Sequence, residues 1–277
     1  MPVTATTETA PYAPYARTVR TVRTVRTGSG GPGLLLAHGG GGSVETNFGP
    51  VLDALAAGFS VVGVDYPGTG GTPRADEPLR LDDMADQLVA AADAEGLERF
   101  AVLGYSLGGN VAVRVAARHP QRVTAIVLTA TFARSGNWLD LVGRLWKELA
   151  ERGERELMAS LLVPLVLNPT VLEGLTPGEV EQVVRDTAGS LPPGTADHVA
   201  LLDGADLRAE IACLDVPALV VATTEDLLVP LALQRELADT LPGARLVELP
   251  TGHLPFAERP AEWAALVTDF LSGPAVR

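Results

Sequence analysis

The run Phe100-Ala101-Val102-Leu103-Gly104-Tyr105-Ser106-Leu107-Gly108-Gly109-Asn110 decides how the rest of this 277-residue chain is read. Four apolar residues of buried-strand length lead into a glycine-flanked serine, and a helical stretch from Asn110 to Arg118 follows. A serine on so tight a strand-to-helix turn has strained backbone angles and no room beside it. Small residues are therefore needed two positions before and two after, where Gly104 and Gly108 stand. The helix that starts there brings the positive end of its dipole and unpaired N–H groups next to the serine hydroxyl. This is the pattern of a nucleophile elbow.

Outward from the elbow, short apolar runs alternate with stretches of helical period. That alternation belongs to a mostly parallel sheet flanked by helices, the α/β class. Strands are expected at Leu34–Ala37, Ser60–Val64, Phe100–Leu103, Val123–Leu128, Ala218–Ala222 and Arg245–Leu249. Leu81, Met84, Ala85, Leu88, Val89 and Ala92 recur at three- and four-residue spacing, one face of a helix closed by Glu95 and Gly96. Helices are also expected over Leu231–Leu241 and Ala261–Leu271. The alternation fails between residues 132 and 206, where only helical pieces are found: Trp138–Arg152, Glu154–Leu162 and Glu179–Leu191, punctuated by Asn168-Pro169 and Pro192-Pro193-Gly194. The domain reading is a flexible leader over 1–17, a core over 18–131 and 207–277, and a helical insertion over 132–206. Thr-Val-Arg occurs three times between Thr18 and Arg26 and reads as an edge strand with a charged, solvated face, ending at the glycine turn from Gly28.

Composition narrows the partners. Hydrophobic residues make up 47% of the chain, enough for a sizeable core, and 34 acidic against 21 basic residues give a net charge of −13. That balance argues against nucleic acid or an anionic membrane surface, both of which reward clustered Lys and Arg. There is no spanning segment, since Leu161–Leu167 is short and broken by Pro164, and no signal-peptide core, so a cytoplasmic protein is expected. The single cysteine, Cys213, cannot form an internal disulfide and reads as a small buried residue. No Cys/His cluster has metal-ligand spacing, and neither a metal nor an organic cofactor is expected. The oligomeric state is left between monomer and homodimer.

A serine needs a base, and four histidines are available. His119 lies roughly four helical turns beyond Ser106, at about 1.5 Å per residue, which is too far. His198 falls within the insertion and reads as a surface or lid residue, while His38 directly follows the first buried strand. His253 remains, in Pro250-Thr251-Gly252-His253-Leu254-Pro255-Phe256, a loop at the carboxyl end of the last strand, where open α/β sheets carry their active groups. The carboxylate that orients its ring is Asp226, placed by Leu227-Leu228-Val229-Pro230 at the mouth of the next helix, or its neighbour Glu225.

With Ser106, Asp226 and His253 in that chain order, the sequence resembles the α/β-hydrolase family over nearly its whole length, from about Thr18 to Ser272. The resemblance also includes His38-Gly39-Gly40 after one strand and Asp65-Tyr66-Pro67-Gly68-Thr69-Gly70-Gly71-Thr72 after the next. It implies that 132–206 is the family's helical cap, placed after the sixth strand of the core and shaping the substrate pocket. It implies further that the glycine run His38–Gly42 is the oxyanion loop. The hole would be formed by the N–H groups of Gly40, or its neighbour Gly41, and Leu107. His38 is then a structural ligand of that loop. Nothing downstream of the glycines matches a nucleotide-binding fingerprint.

The reaction expected is hydrolysis of a carboxylic ester or lactone of a small, apolar substrate through an acyl-serine. Tyr105, Trp138 and Trp146 are candidate substrate contacts. Phe132, Leu161, Leu162, Val163, Leu165 and Leu167 could line an acyl pocket or simply hold the insertion to the core. Relatives that open epoxides or remove halides carry aspartate at the position of Ser106. The scaffold leaves other uses open. Stand-alone biosynthetic thioesterases usually carry a His where Tyr105 stands, while use of the triad for cyclisation, lyase or cofactor-free oxygenase chemistry stays open. Proline iminopeptidases differ by a proline at Gly41 and commonly a Trp at Leu107. A ligand receptor on the same fold is the alternative outside enzymology.

Overall fold

The computed structural model describes residues 22–28, 30–274 and 276. The leader and residues 18–21 of the Thr-Val-Arg repeat lie outside them. Seven strands form one sheet: β1 (Thr24–Thr27), β2 (Gly33–Ala37), β3 (Ser60–Val64), β4 (Phe100–Tyr105), β5 (Val123–Thr129), β6 (Ala218–Thr223) and β7 (Arg245–Leu249). Their order is β1-β3-β2-β4-β5-β6-β7, with β1 antiparallel to β3 and every other pair parallel.

The period-2 geometry of a strand sends alternate side chains to opposite faces, and both faces here are apolar, as a helix-covered parallel sheet requires. Leu35, Val62, Val102, Ile126 and Val220 pack on one side, against α3 (Leu81–Ala94) and α4 (Leu107–Arg118). Leu34, Leu36, Val61, Leu103, Val127 and Val221 pack on the other. There they meet α1 (Val44–Phe48), α2 (Leu52–Ala56) and the helix that ends the chain. From β2 the chain turns to one side to make β3 and then crosses to the other to make β4. The carboxyl ends of β2 and β4 therefore feed loops that diverge, leaving the crevice in which open α/β sheets bind ligands. The loop after β2 is the glycine run, and the residue after β4 is Ser106.

Between β5 and β6 the chain forms α5 (Asn137–Glu151), α6 (Arg155–Val166), α7 (Pro169–Glu173), α8 (Pro177–Ser190), α9 (Thr195–Ala200) and α10 (Arg208–Ile211). At its neck the outgoing and returning chains pair, Arg134 opposite Asp206, with Ser135 N–H donating to Ala205 C=O and Leu207 N–H to Ala133 C=O, both at 2.8 Å. α11 (Leu231–Thr240), α12 (Pro255–Glu258) and α13 (Pro260–Leu271) complete the chain. Among the described residues no helix is long and apolar enough to cross a membrane.

Several expectations change. The insertion follows the fifth described strand rather than the sixth, because a single antiparallel strand precedes the parallel series among the described residues. α6 continues through Pro164 to Val166 instead of ending at Leu162. A proline inside a helix removes one backbone donor, and packing of Met158, Leu162 and Val163 carries the helix past it. Cys213 is exposed, not buried. It lies just after α10, where Ile211 and Leu214 take the inward positions. Arg23 is not simply solvated: its guanidinium is 2.9 Å from the fully buried carboxylate of Asp65, which also accepts from the N–H groups of Val44 and Gly71.

Candidate active site

Ser106 sits at φ 52°, ψ −122° between β4 and α4, a left-handed conformation that costs a non-glycine residue of the order of 1–3 kcal/mol. The surroundings hold it there. Its N–H donates to Thr129 C=O at 3.0 Å, and its C=O accepts from Gly109 N–H and the Thr131 hydroxyl, each at 2.8 Å. A side chain at Gly108 would lie 1.9 Å from Ala37 C=O, and one at Gly104 would lie 2.3 Å from Gly108 C=O, so the elbow closes only with glycine at both places.

The loop after β7 delivers His253. Its Nε2 lies 3.1 Å from Ser106 Oγ and its Nδ1 2.7 Å from Asp226 Oδ2. A carboxylate oxygen can only accept, so Nδ1 carries the proton and Nε2 is free to accept from the serine hydroxyl. Asp226, in the turn after β6, is buried and fully engaged. Oδ1 accepts from the N–H groups of Leu228 and Val229 at 2.9 Å, and Oδ2 also accepts from the Thr223 hydroxyl at 2.8 Å. The amide of Gln234 on α11 donates in turn to Thr223 Oγ1 and to Val229 C=O. Glu225, the alternative acid, directs its backbone N–H to Thr251 C=O, and the ring's hydrogen bond goes to Asp226 instead. The His253 loop is itself tied down. His253 N–H donates to Val166 C=O at 2.9 Å, and Gly252 N–H to the Glu258 carboxylate at 3.1 Å. Burial raises the Glu258 pKa, against the pull of the Gly252 and Asn168 hydrogen bonds.

Opposite the histidine lies the glycine loop. Gly39 N–H donates to Asn47 Oδ1 at 2.9 Å, Gly42 N–H to Gly39 C=O at 3.2 Å and Gly41 N–H to His198 Nδ1 at 3.2 Å. Among the described residues the N–H of Gly40 has no such partner. Gly40 lies against Leu107, whose side chain would be 3.7 Å from a Cβ placed there. Leu107 opens α4, so its N–H has no acceptor within the helix. His38 anchors the loop from below. Its Nδ1–H donates to Gly39 C=O at 2.8 Å and its Nε2 accepts from Tyr66 N–H at 3.0 Å. Complete burial draws its pKa down to about 3, against the opposing pull of the Gly39 carbonyl, so it is a neutral strut.

Between these loops and the inserted helices is a cavity of about 270 Å³. Ser106, His253, Tyr105 and the glycines form its floor, and Phe132, Val142, Trp146, Leu162, Val166 and Leu228 are among its walls. Tyr105 is buried edge-on to Phe256, with ring centroids 4.6 Å apart, and its ring lies 5.1 Å from that of His253. Burial, followed by the Asp226 charge, holds its hydroxyl well above the usual phenol range. Trp146 lines the cavity as expected, but Trp138 does not. It is 47% exposed and absent from the lining, and its indole N–H donates to the carbonyls of Leu227 and Leu228. Leu161, Val163, Leu165 and Leu167 are likewise not among the lining residues. His198, expected as a surface or lid residue, is not at the surface but fully buried. No periodicity or spacing in the sequence singles out His198, Asn47, Thr223 or Gln234, because each reaches its partner across a distance that only folding closes.

Known proteins share this fold. The α/β-hydrolase fold family matches over residues 32–260. A pyrrolizixenacetamide deacetylase of Xenorhabdus hominickii is 32% identical over 243 residues, 87% of this chain and 91% of that one. A pimeloyl-[acyl-carrier protein] methyl ester esterase of Neisseria meningitidis is 30% identical over 250 residues, 87% of this chain and 77% of the relative. The crystal structure of the enol-lactonase from Burkholderia xenovorans superposes with a TM-score of 0.83 at 28% identity, covering 95% of this chain and all of that one. Topology, family match and relatives agree, and this chain belongs to the α/β-hydrolase fold family as a hydrolase acting on ester or amide bonds.

Proposed function

We propose that the chain is a serine hydrolase that cleaves a carboxylic ester or lactone of a small, apolar substrate through an acyl-serine intermediate. The observation that carries this reading is the continuous relay from Asp226 through His253 to Ser106, at 2.7 and 3.1 Å, beneath a largely apolar cavity of about 270 Å³. A cavity near the lower end of the usual range for small-molecule sites suits a short acyl group. In the reaction His253 Nε2 takes the Ser106 proton as Oγ attacks the carbonyl carbon. The negative charge that develops on the carbonyl oxygen is received by the N–H groups of Gly40 and Leu107. His253 then passes the proton to the leaving oxygen, and the C–O bond breaks. Water, deprotonated by the same ring, attacks the acyl-serine and releases the acid and Ser106. Asp226 holds the ring in the required tautomer and stabilises it while it is charged.

Residues 132–206 act as a cap on this reading, supported by the paired neck at Arg134 and Asp206 and by the walls that Trp146, Leu162 and Val166 contribute. The methyl ester esterase and the enol-lactonase among the relatives favour an oxygen ester; the deacetylase favours an amide as the second reading. The test is hydrolysis of p-nitrophenyl esters from acetate to octanoate, beside the matching p-nitroanilides, by wild type and Ser106→Ala. Ester turnover that peaks at a short chain and disappears in the variant is expected. Anilide turnover exceeding ester turnover would overturn the ester reading, and activity retained in Ser106→Ala would overturn the mechanism.

A further inference from the structure

We propose that His198, carried by the inserted helices, is a positioning residue for the oxyanion loop. Its imidazole accepts the Gly41 N–H and thereby sets the direction of the neighbouring Gly40 N–H. The inference rests on the proposed serine mechanism. Four consecutive glycines, Gly39–Gly42, have more backbone freedom than any other residue type, yet a hole for an oxyanion works only if its donors are already aimed. Three of the four amides are anchored, Gly39 by Asn47 of the core and Gly42 within the loop by the turn back to Gly39. The third anchor, on Gly41, comes from outside the core. It is also nearest to Gly40: the His198 Cβ would lie 3.6 Å from a side chain built at that glycine.

The imidazole is held for this task at its other end. Nε2 is 3.0 Å from Pro67 C=O, which can only accept, so Nε2 carries the proton and Nδ1 presents a lone pair to Gly41. Burial keeps the ring neutral, its pKa drawn down to about 4, and a protonated ring could not accept at all. The segment that carries His198 is itself fastened to the loop after β3. Gly194 N–H donates to Gly68 C=O at 3.0 Å, and the two backbones are so close that a side chain on Gly194 would meet Pro67 C=O at 2.6 Å. Asp197 takes both ends of the Arg74 guanidinium at 2.6 and 2.9 Å. The inserted helices thus reach the oxyanion loop through a side chain braced at both ends.

Two substitutions separate this role from mere packing. In His198→Asn the amide oxygen stands near the place of Nδ1 and can still accept from Gly41. In His198→Gln the amide nitrogen stands near Nε2 and preserves only the Pro67 bond. His198→Ala removes both. The readout is the second-order rate constant for phosphonylation of Ser106 by an activated alkyl p-nitrophenyl phosphonate, which draws on the same hole and needs no knowledge of the natural acyl group. With it go kcat and KM on the best p-nitrophenyl ester, and circular dichroism to confirm folding. A misaimed hole costs roughly tenfold to a hundredfold in rate. His198→Ala and His198→Gln are expected to lose that much in phosphonylation and in kcat with KM within about twofold, while His198→Asn recovers most of the loss. Equal rates in all four folded proteins, recovery by Gln instead of Asn, or a loss confined to KM would overturn the proposal while leaving the serine mechanism standing. Failure of the phosphonate to label Ser106 in the wild type would overturn both. If His198→Ala fails to fold, the contrast between Asn and Gln decides alone.

Discussion

Asp226 and Glu225 are adjacent, carry the same charge and follow the same strand, yet only one has its carboxylate against the His253 ring. The difference is the turn. Asp226 Oδ1 closes a short loop with the N–H groups of Leu228 and Val229, which directs Oδ2 at Nδ1, and the Thr223 hydroxyl completes its shell. A side chain one methylene longer from the preceding position has neither bond. Asp226→Asn should therefore lower kcat by about 10³- to 10⁴-fold, because an amide facing Nδ1 stabilises the wrong tautomer. Glu225→Gln should stay within about twofold of wild type. Steady-state kinetics on the preferred ester checks both, and a Glu225 variant as impaired as the Asp226 variant would reassign the acid.

At the scale of elements, α5 shows how an amphipathic helix can serve two surfaces. Leu139, Val142 and Trp146, at three- and four-residue spacing, face the cavity, while Trp138, Leu141 and Leu145 remain 47%, 56% and 48% exposed. The two tryptophans are eight positions apart, about 80° round the helix at 3.6 residues per turn, so Trp146 lies in the cavity face and Trp138 at its edge. Trp146→Ala should enlarge the cavity and shift the preferred p-nitrophenyl ester toward longer acyl chains. Trp138→Ala should leave the chain-length profile unchanged. Identical profiles for wild type and Trp146→Ala would remove that residue from the acyl pocket.

For the whole molecule, two buried histidines make stability depend on pH. The ordinary histidine pKa is near 6.5, and burial draws His38 down to about 3 and His198 to about 4 in the fold. Below pH 6.5 the unfolded chain takes up protons that the folded chain refuses, so acidification favours unfolding. Stability is greatest above the unfolded pKa and falls as the pH drops toward the folded values. Each histidine contributes a slope of about 1.4 kcal/mol per pH unit once the unfolded form is fully protonated. Urea unfolding midpoints should fall between pH 7 and pH 5, and His198→Asn should remove about half of the histidine contribution. A variant with the same pH dependence as wild type would show that His198 does not supply it.

Elements whose formation depends on neighbours in sequence are legible in the order of residues alone. Ser60–Val64 and Arg245–Leu249 are strands with the expected bounds, and the elbow at Gly104–Gly108 follows from sterics that act within five residues. The order of Ser106, Asp226 and His253 is legible too, since each follows an apolar strand and open sheets gather such ends. Contacts across the chain are not. That Trp138 stays out of the cavity lining depends on how α5 rolls against the core. The exposure of Cys213 depends on which side of a short turn Ile211 and Leu214 occupy. The burial of His198 depends on α9 closing over Gly41 and Pro67, more than a hundred residues earlier. Local sterics and periodicity are carried by the sequence itself and determine the fold and its serine turn. Which side chains complete the site is decided by packing between distant segments, whose geometry exists only once the sheet and the inserted helices have come together.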